Sequence, residues 1–212
     1  MSKESNVIEF YVLCNKLKNV VRTGWIKWGV NKERVESIAE HIYGTQMLAI
    51  AMYSEYNYDL DLKKVLFMLA CHELEEILIG DLTPYEISKE EKEIMGHKAV
   101  KEVLKNLMNK EEINSLVLEF DARVTKEALF AYHIDKLECD LQCKLYDEEK
   151  TVDLKNQDSN PICKDERVQY FMNKENSWSS MWIECDRYHF KDDKNFESVL
   201  DYAKNNKIGK QS

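Results

Sequence analysis

Residues that interrupt regular secondary structure are scarce in this chain of 212 residues, which has only six glycines and two prolines. Turns between β-strands draw heavily on both residue types, so the scarcity leaves little room for a β-sheet. Apolar residues instead recur at three- and four-residue steps over long segments, which is typical of amphipathic helices. We therefore predict an all-α helical bundle, with helices over residues 6–20, 36–57, 61–79, 87–107, 110–122, 125–149, 164–172, 175–188 and 194–206.

Long apolar runs, basic charge and paired cysteine motifs are also missing. No segment approaches the roughly 20 apolar residues that cross a bilayer, and no N-terminal run resembles a secretory signal, so we expect no membrane partner. The formal net charge of −9 disfavours a nucleic-acid polymer as partner, because such polymers are bound through basic surface. The six cysteines lack the C-x-x-C spacing of a zinc site, and we expect reduced thiols and a cytoplasmic location.

The length suits one substantial domain with a small extension. We expect a helical domain over residues 1–150 and a C-terminal helical extension over residues 151–212 that packs on it. Aromatic residues of the extension, including Trp178 and Trp182, offer either a contact surface for a second copy or cover for the domain's own core.

Imidazole and carboxylate side chains occupy helix positions where the periodicity calls for hydrocarbon. The first lies on the predicted helix 36–57, the next three on helix 61–79 and the last on helix 125–149; they are His41, His72, Glu73, Glu76 and Asp135. Burial of such groups is costly unless they are paired or bind a cation. A single inward histidine is most often a hydrogen-bonded core residue. Four potential ligands on three inner faces instead favour one divalent cation held by His41, His72, Glu73 and Asp135.

Other residues offer groups for acid–base chemistry or for binding a ligand. Glu76, one helical turn from His72, offers a carboxyl group for proton transfer. Arg22 has a planar fork of donors that suits phosphate oxygens, although composition alone favours a solvated loop arginine. Asp81 either accepts a sugar hydroxyl or caps a turn. Trp25 either stacks on a base or seals the packing of its loop.

The strings around these residues resemble a known family. The order of a histidine, an adjacent His-acid pair and a distant aspartate resembles the HD-domain metal-dependent phosphohydrolases, and the longer strings resemble their YfbR-like 5′-deoxynucleotidase subgroup. The likeness spans about residues 8–150. The strings are Arg22-Thr23-Gly24-Trp25, Ser37-Ile38-Ala39-Glu40-His41, His72-Glu73-Leu74-Glu75-Glu76-Ile77-Leu78-Ile79-Gly80-Asp81 and Ile134-Asp135-Lys136-Leu137-Glu138.

This resemblance implies a phosphomonoesterase that removes the 5′-phosphate of (deoxy)ribonucleoside monophosphates and works as a homodimer. It implies one divalent metal ion, which the sequence does not distinguish among manganese, cobalt, zinc, magnesium, iron and nickel. The matched roles are metal ligand for His41, His72, Glu73 and Asp135, proton transfer for Glu76, sugar contact for Asp81 and phosphate contact for Arg22.

The sequence departs from the family at Glu73, where the HD motif has aspartate. The extra methylene raises the alternative of a catalytically weakened nucleotide-binding or regulatory protein. A second alternative is an oxygenase with two irons, against which the sparse histidines argue. His97 is a candidate ligand for a second metal, but its charged neighbours are typical of an exposed helix, so we expect one metal.

Overall fold

The structure, a computed structural model, describes residues 2–83 and 85–209 and confirms the all-α prediction. Within those ranges the only β-type pairing is an isolated bridge between Val21 and Ser37. The helices are α1 (Lys3–Asn15), α2 (Thr23–Lys27), α3 (Ile38–Tyr56), α4 (Leu62–Cys71), α5 (Glu76–Ile79), α6 (Lys89–Leu104), α7 (Lys110–Ala122), α8 (Lys126–Glu148), α9 (Glu166–Lys174), α10 (Trp178–Asp186) and α11 (Lys194–Asn205). Short 3₁₀ helices cover Lys16–Asn19, Leu154–Asn156, Pro161–Lys164 and Arg187–Phe190.

Capping boxes fix the start of two helices that matter for the site. At α3, the Ser37 side chain accepts from the Glu40 N–H, and the Glu40 carboxylate accepts from the Ser37 N–H at 3.0 Å. At α6, Ser88 and Glu91 form the same reciprocal pair. Each box satisfies backbone donors that a helix N-terminus would otherwise leave unpaired, so both starts are well defined by local sequence.

The predicted continuous helix over residues 61–79 is wrong: α4 ends at Cys71 and α5 begins at Glu76. His72 Nδ1 lies 2.8 Å from the carbonyl oxygen of Leu69, which in a continued α-helix would accept from the Glu73 N–H. The bonds that follow span three residues rather than four, including Glu76 N–H to the Glu73 carbonyl at 3.2 Å. The side chain of His72 thus competes with the helix ladder and tightens this turn.

Residue contacts divide the chain into two compact units. The first comprises the chain up to Thr23 together with Glu36–Tyr132. Within it α3 packs on α4, both α4 and α6 pack on α7, and α5 packs on α6. The start of α3 and the α4–α5 junction share one apolar core, which consists of Leu17, Ile38, Cys71, Leu74, Ile77, Val100, Val103, Leu104 and Val117.

The second unit comprises Gly24–Val35 and the chain from His133 onward. The stretch 22–34, which we predicted as a loop, instead contains α2 and two buried tryptophans, Trp25 and Trp28. Both tryptophans share an apolar core with Trp178. This packing agrees with our alternative that the aromatic residues of the extension cover a core of the chain itself. The helix α8 begins in the first unit and continues into the second.

Three further expectations concern the whole chain. All six cysteines are free thiols, as predicted. None of the helices in the described ranges combines the length and apolar composition needed to cross a bilayer. The division into a domain over residues 1–150 and an extension over 151–212 stays a prediction, since contact clustering describes packing and not independent folding.

Candidate metal centre

Two imidazole rings of the first unit face each other. His41 lies on α3, one turn after Ser37, and is 0% exposed. His72 follows the last residue of α4 and is 5% exposed. Their Nε2 atoms lie 3.4 Å apart. Two buried ring nitrogens at this separation either share a proton or direct their lone pairs at one cation.

The second nitrogen of His72 favours the cation. Nδ1 lies 2.8 Å from the Leu69 carbonyl oxygen. A carbonyl can only accept a hydrogen bond, so Nδ1 carries the proton and donates it, and the lone pair of the neutral ring lies on Nε2. Histidines that bind metals in proteins commonly have this arrangement, because the backbone bond fixes both tautomer and ring orientation.

The carboxylate of Glu73 completes a triangle of donors. Its Oε1 lies 3.7 Å from His41 Nε2 and 3.5 Å from His72 Nε2. With ligand bonds of about 2.1 Å, adjacent donors around one ion are separated by about 3.0–3.4 Å. Movements of a few tenths of an ångström would therefore close all three donors on one ion. The extra methylene of glutamate does not carry the carboxylate away from the imidazoles.

Asp135, the fourth predicted ligand, lies on α8 and is 7% exposed. One donor atom from each of His41, His72 and Glu73 lies within 4.8 Å of the others, while the role of Asp135 as the fourth ligand stays a prediction. Lys136 Nζ lies 3.0 Å from Asp135 Oδ2, so this carboxylate also has a positive neighbour on its own helix. Two imidazoles and two carboxylates form a donor set that fits a divalent metal ion.

Glu76 is buried one turn after His72. Its Oε1 lies 3.5 Å from Lys92 Nζ, while Oε2 has no hydrogen-bond partner among the described residues. Burial, and then the carboxylates of Glu73 and Asp81, raise the pKa of Glu76 to about 11, against the opposing effect of Lys92 and Arg22. The environment thus favours the protonated form of Glu76. A buried carboxyl oxygen without a hydrogen-bond partner is unusual in a folded protein, which marks Oε2 as a candidate contact for a ligand.

Arg22 is held at the edge of the donor cluster by chain pairing. Its N–H donates to the Glu36 carbonyl at 3.0 Å, beside the bridge between Val21 and Ser37. Its Nη1 lies 3.6 Å from Glu73 Oε1, and its side chain is 15% exposed. The guanidinium is therefore largely withdrawn from solvent and lies against a predicted metal ligand, unlike a solvated loop arginine.

Asp81 is tied to the residue that follows Arg22. Its Oδ2 accepts from the Thr23 N–H at 2.6 Å, and Thr23 Oγ1 donates to its carbonyl at 2.7 Å. Thr23 is the first residue of α2, so the Asp81 carboxylate caps the N-terminus of α2. We had considered that Asp81 caps a turn, but the capped element is distant in sequence. The sugar contact predicted for Asp81 stays a prediction.

Trp25, predicted to contact substrate, lies instead in the core of the second unit. It is 3% exposed, and its ring packs edge-on against Tyr146 at 5.4 Å and Trp178 at 6.1 Å between centroids. A ring covered to this extent has no open face on which a base could stack, so we correct this assignment. The alternative that Trp25 seals the packing agrees with the structure.

Sequence reasoning missed Lys92, because it is one of the charged neighbours of His97 from which we predicted an exposed helix. Lys92 Nζ donates to the Leu82 carbonyl at 2.9 Å, besides its proximity to Glu76. A signal was available: Lys92 precedes the buried residues Gly96 and Ala99 by four and seven positions, so it begins their inward stripe.

His97 and His133 have structural contacts. His97 Nε2 lies 2.9 Å from Asp121 Oδ2, a partly exposed pair on α6 and α7. His133 is buried and packs edge-on against Phe190 and Phe196, and burial lowers its pKa. Among the described residues, neither histidine belongs to a group of three or more donors close enough to hold an ion.

Comparison with known proteins agrees with the geometry. A sequence profile described as an HD domain matches residues 14–174, which is most of the chain and includes all four donors. The chain belongs to the HD-domain family. The pair that we predict to be its HD motif, His72 and Glu73, lies inside the matched residues and has glutamate as the acid. The HD fold implies a bound divalent metal.

Curated relatives of this HD domain are named as enzymes. It is 35% identical over 153 residues to 5′-deoxynucleotidase HDDC2 of Dictyostelium discoideum, covering 68% of this chain and 80% of the relative. It is 33% identical over 144 residues to 5′-deoxynucleotidase hdd1 of Schizosaccharomyces pombe, covering 65% and 70%. The resemblance found in the sequence is thereby confirmed.

Solved structures share the fold. A protein from Pyrococcus horikoshii aligns with a TM-score of 0.63 at 22% identity, covering 93% of this chain and 98% of that one. A protein from Magnetospirillum magnetotacticum titled a predicted metal-dependent phosphohydrolase aligns with a TM-score of 0.61 at 20% identity, covering 96% of each. At these identities the likeness shows the HD-domain fold alone.

Proposed function

We propose that the protein is a metal-dependent phosphohydrolase that removes the 5′-phosphate of nucleoside monophosphates, with deoxyribonucleotides as leading substrates. One observation carries the proposal: Glu73 Oε1 lies within 3.7 Å of two imidazole nitrogens and of the Arg22 guanidinium. A cation bound by Glu73 and the two imidazoles would thus lie beside the Arg22 guanidinium, which is a second positive group suited to phosphate. The 5′-deoxynucleotidase names of the curated relatives support the same substrate class.

The proposed ligands of the ion are His41, His72, Glu73 and Asp135. When bound, a divalent ion supplies Lewis-acid activation of a water molecule and of a phosphoryl oxygen. The bond from His72 Nδ1 to the Leu69 carbonyl holds the ring ready to bind, which reduces the reorganisation that binding requires. The identity of the ion stays open, because nitrogen and oxygen donors of this kind suit several divalent metals.

Arg22 orients the substrate in this proposal. Its five N–H donors match phosphate oxygens, and the carboxylate of Glu73 would otherwise repel a dianionic ester. Pairing of its backbone with Glu36 fixes the residue beside the donor cluster. Arg22 therefore binds phosphate and offsets the negative charge of the site.

Glu76 moves the proton. Its Oε2 is buried and unpartnered within the described residues, so it is available to a group of the substrate or to the attacking water. We assign this atom to protonation of the departing 5′ oxygen. Asp81 receives the sugar: Oδ2 is engaged by Thr23, and the second carboxylate oxygen is assigned to a sugar hydroxyl.

The experiment is a phosphate-release assay on ribo- and deoxyribonucleoside monophosphates, after separate loading with manganese, cobalt, zinc, magnesium, iron and nickel. We expect turnover with at least one ion, and a loss of about 10²–10⁴-fold in kcat for Glu76→Gln with metal content unchanged. Glu90→Gln, on an exposed part of α6, is the matched control. Stoichiometric metal without turnover of any monophosphate, but with saturable nucleotide binding, would instead indicate the catalytically weakened protein.

Two further properties stay predictions. Homodimer formation comes from the family resemblance, and a cytoplasmic location comes from the sequence. Sedimentation equilibrium of the purified protein and fractionation of its source cells would test them separately.

A further inference from the structure

Lys92, on α6, contacts both α5 and the loop that follows it. We propose that it is a positioning residue that fixes the loop bearing Asp81 relative to the carboxyl group of Glu76. The inference rests on the proposed function and deepens it, because it adds a residue that sets where the sugar end of the substrate lies relative to the proton donor.

The first contact holds the loop. Lys92 Nζ donates to the carbonyl of Leu82 at 2.9 Å, and Leu82 directly follows Asp81. On its other side Asp81 is fastened to Thr23 by bonds of 2.6 and 2.7 Å. The loop is therefore anchored both to the start of α2 and to α6. Loss of either anchor frees the segment that presents the proposed sugar-binding carboxylate.

The second contact holds the proton donor. Lys92 Nζ lies 3.5 Å from Glu76 Oε1, and Oε2 of the same carboxyl group has no hydrogen-bond partner in the described ranges. The Lys92 ammonium at Oε1 leaves Oε2 for the substrate and prevents the carboxyl group from rotating by 180° to exchange its two oxygens. One ammonium thus sets the distance between two substrate contacts.

The environment keeps this ammonium charged. Although burial lowers the pKa of Lys92, the carboxylate of Glu73 and the other acidic groups around it raise this pKa above its ordinary value overall. The Lys92 side chain is 32% exposed, so it loses part of its hydration, and the acidic partners around it offset that loss. The position on α6 is itself rigid, since Ser88 and Glu91 cap the helix one turn earlier.

The test compares Lys92→Met, which keeps the aliphatic stem, with Lys92→Arg, which keeps positive donors. Lys98→Met is the matched control, because Lys98 is an exposed lysine of the same helix. Each metal-loaded protein is assayed with a nucleoside 5′-monophosphate and with p-nitrophenyl phosphate, which has no sugar. Hydrogen exchange of the Thr23 amide is followed in parallel.

For Lys92→Met we expect kcat to fall about 10–100-fold with both substrates, and KM to rise about 10-fold only with the nucleotide. Lys92→Arg should recover most of both parameters, and Lys98→Met should match the wild type. Exchange of the Thr23 amide should accelerate at least about 10-fold in Lys92→Met alone.

Equal KM changes for both substrates, or unchanged Thr23 exchange, would overturn the inference. If Lys92→Met only impaired folding, the fraction of active protein would fall, but KM would not change for one substrate alone. If the wild type hydrolyses neither ester, the proposed function fails, while the exchange measurement still decides whether Lys92 anchors the loop.

Discussion

His41 Nε2 and His72 Nε2 lie 3.4 Å apart although 31 residues separate them in the chain. The rings come from the start of one helix and the end of another, and both are buried. A neutral pair of this kind gains at most one hydrogen bond, which is small compensation for two desolvated rings. A shared cation satisfies both nitrogens together with Glu73.

Removal of one ring should therefore remove the metal. For His72→Ala we expect metal content, measured by elemental analysis after dialysis, to fall from about one ion per chain to nearly none. The kcat/KM for a nucleoside monophosphate should fall by about two orders of magnitude or more. His97→Ala is the control, since His97 pairs with Asp121 and lies outside the donor set. Full metal retention in His72→Ala would contradict the assigned ligand.

Glu73 should tolerate aspartate but not its amide. Glu73→Asp keeps the charge and restores the acid of the family motif, so we expect about one ion per chain and activity within roughly 10-fold of the wild type. Glu73→Gln loses the charge and should lose the ion, because an amide is a weaker donor to a divalent metal. Calorimetric titration with manganese separates the cases. Equal metal affinity in Glu73→Gln would show that this carboxylate is not a ligand.

Trp25 should matter for stability and not for substrate. Because its ring is enclosed by Tyr146 and Trp178, Trp25→Phe should cost about 1–3 kcal/mol of unfolding free energy in urea. The KM for nucleoside monophosphates should stay within about two-fold of the wild type at a temperature where both proteins are folded. A rise in KM without loss of stability would restore the base-stacking assignment.

Asp140 should make stability depend on pH. It is 0% exposed, and neither carboxylate oxygen has a hydrogen-bond partner in the described part of the chain. Burial, and then the charge of Asp186, hold its pKa well above its usual value. The protonated form is thus favoured in the folded state. Its contribution to stability is fully present below the unfolded pKa of about 3.9 and is lost as pH rises through the folded pKa.

Above about pH 4 the wild type should lose up to about 1.4 kcal/mol of unfolding free energy per pH unit because of Asp140. Asp140→Asn should not show this loss, because the amide does not titrate. Urea unfolding of both proteins at pH 5, 6, 7 and 8 measures the difference, which should grow in favour of the variant. Any constant cost of the buried amide does not change this slope. Parallel pH profiles for the two proteins would mean that Asp140 is ionised and paired.

The sequence by itself determined the helical class, the metal-ligand residues proposed and the family. Few breakers and a regular apolar period identify helices because that period is a local property of the chain. Ionisable residues on an apolar stripe are equally visible, which is why His41, His72, Glu73, Glu76 and Asp135 were found without coordinates. The two helices with capping boxes, α3 and α6, were placed to within about three residues for the same reason.

Only the tertiary structure decided the break between α4 and α5, the burial of Trp25 and the contacts of Lys92. The break depends on a side chain that competes for a backbone carbonyl, and no periodicity reports that competition. Trp25 is enclosed by aromatic residues more than 100 positions away in the chain, and Lys92 Nζ lies 3.5 Å from Glu76 Oε1 on a different helix. These are long-range contacts, and side-chain spacing along one helix contains no information about which distant residues will meet it.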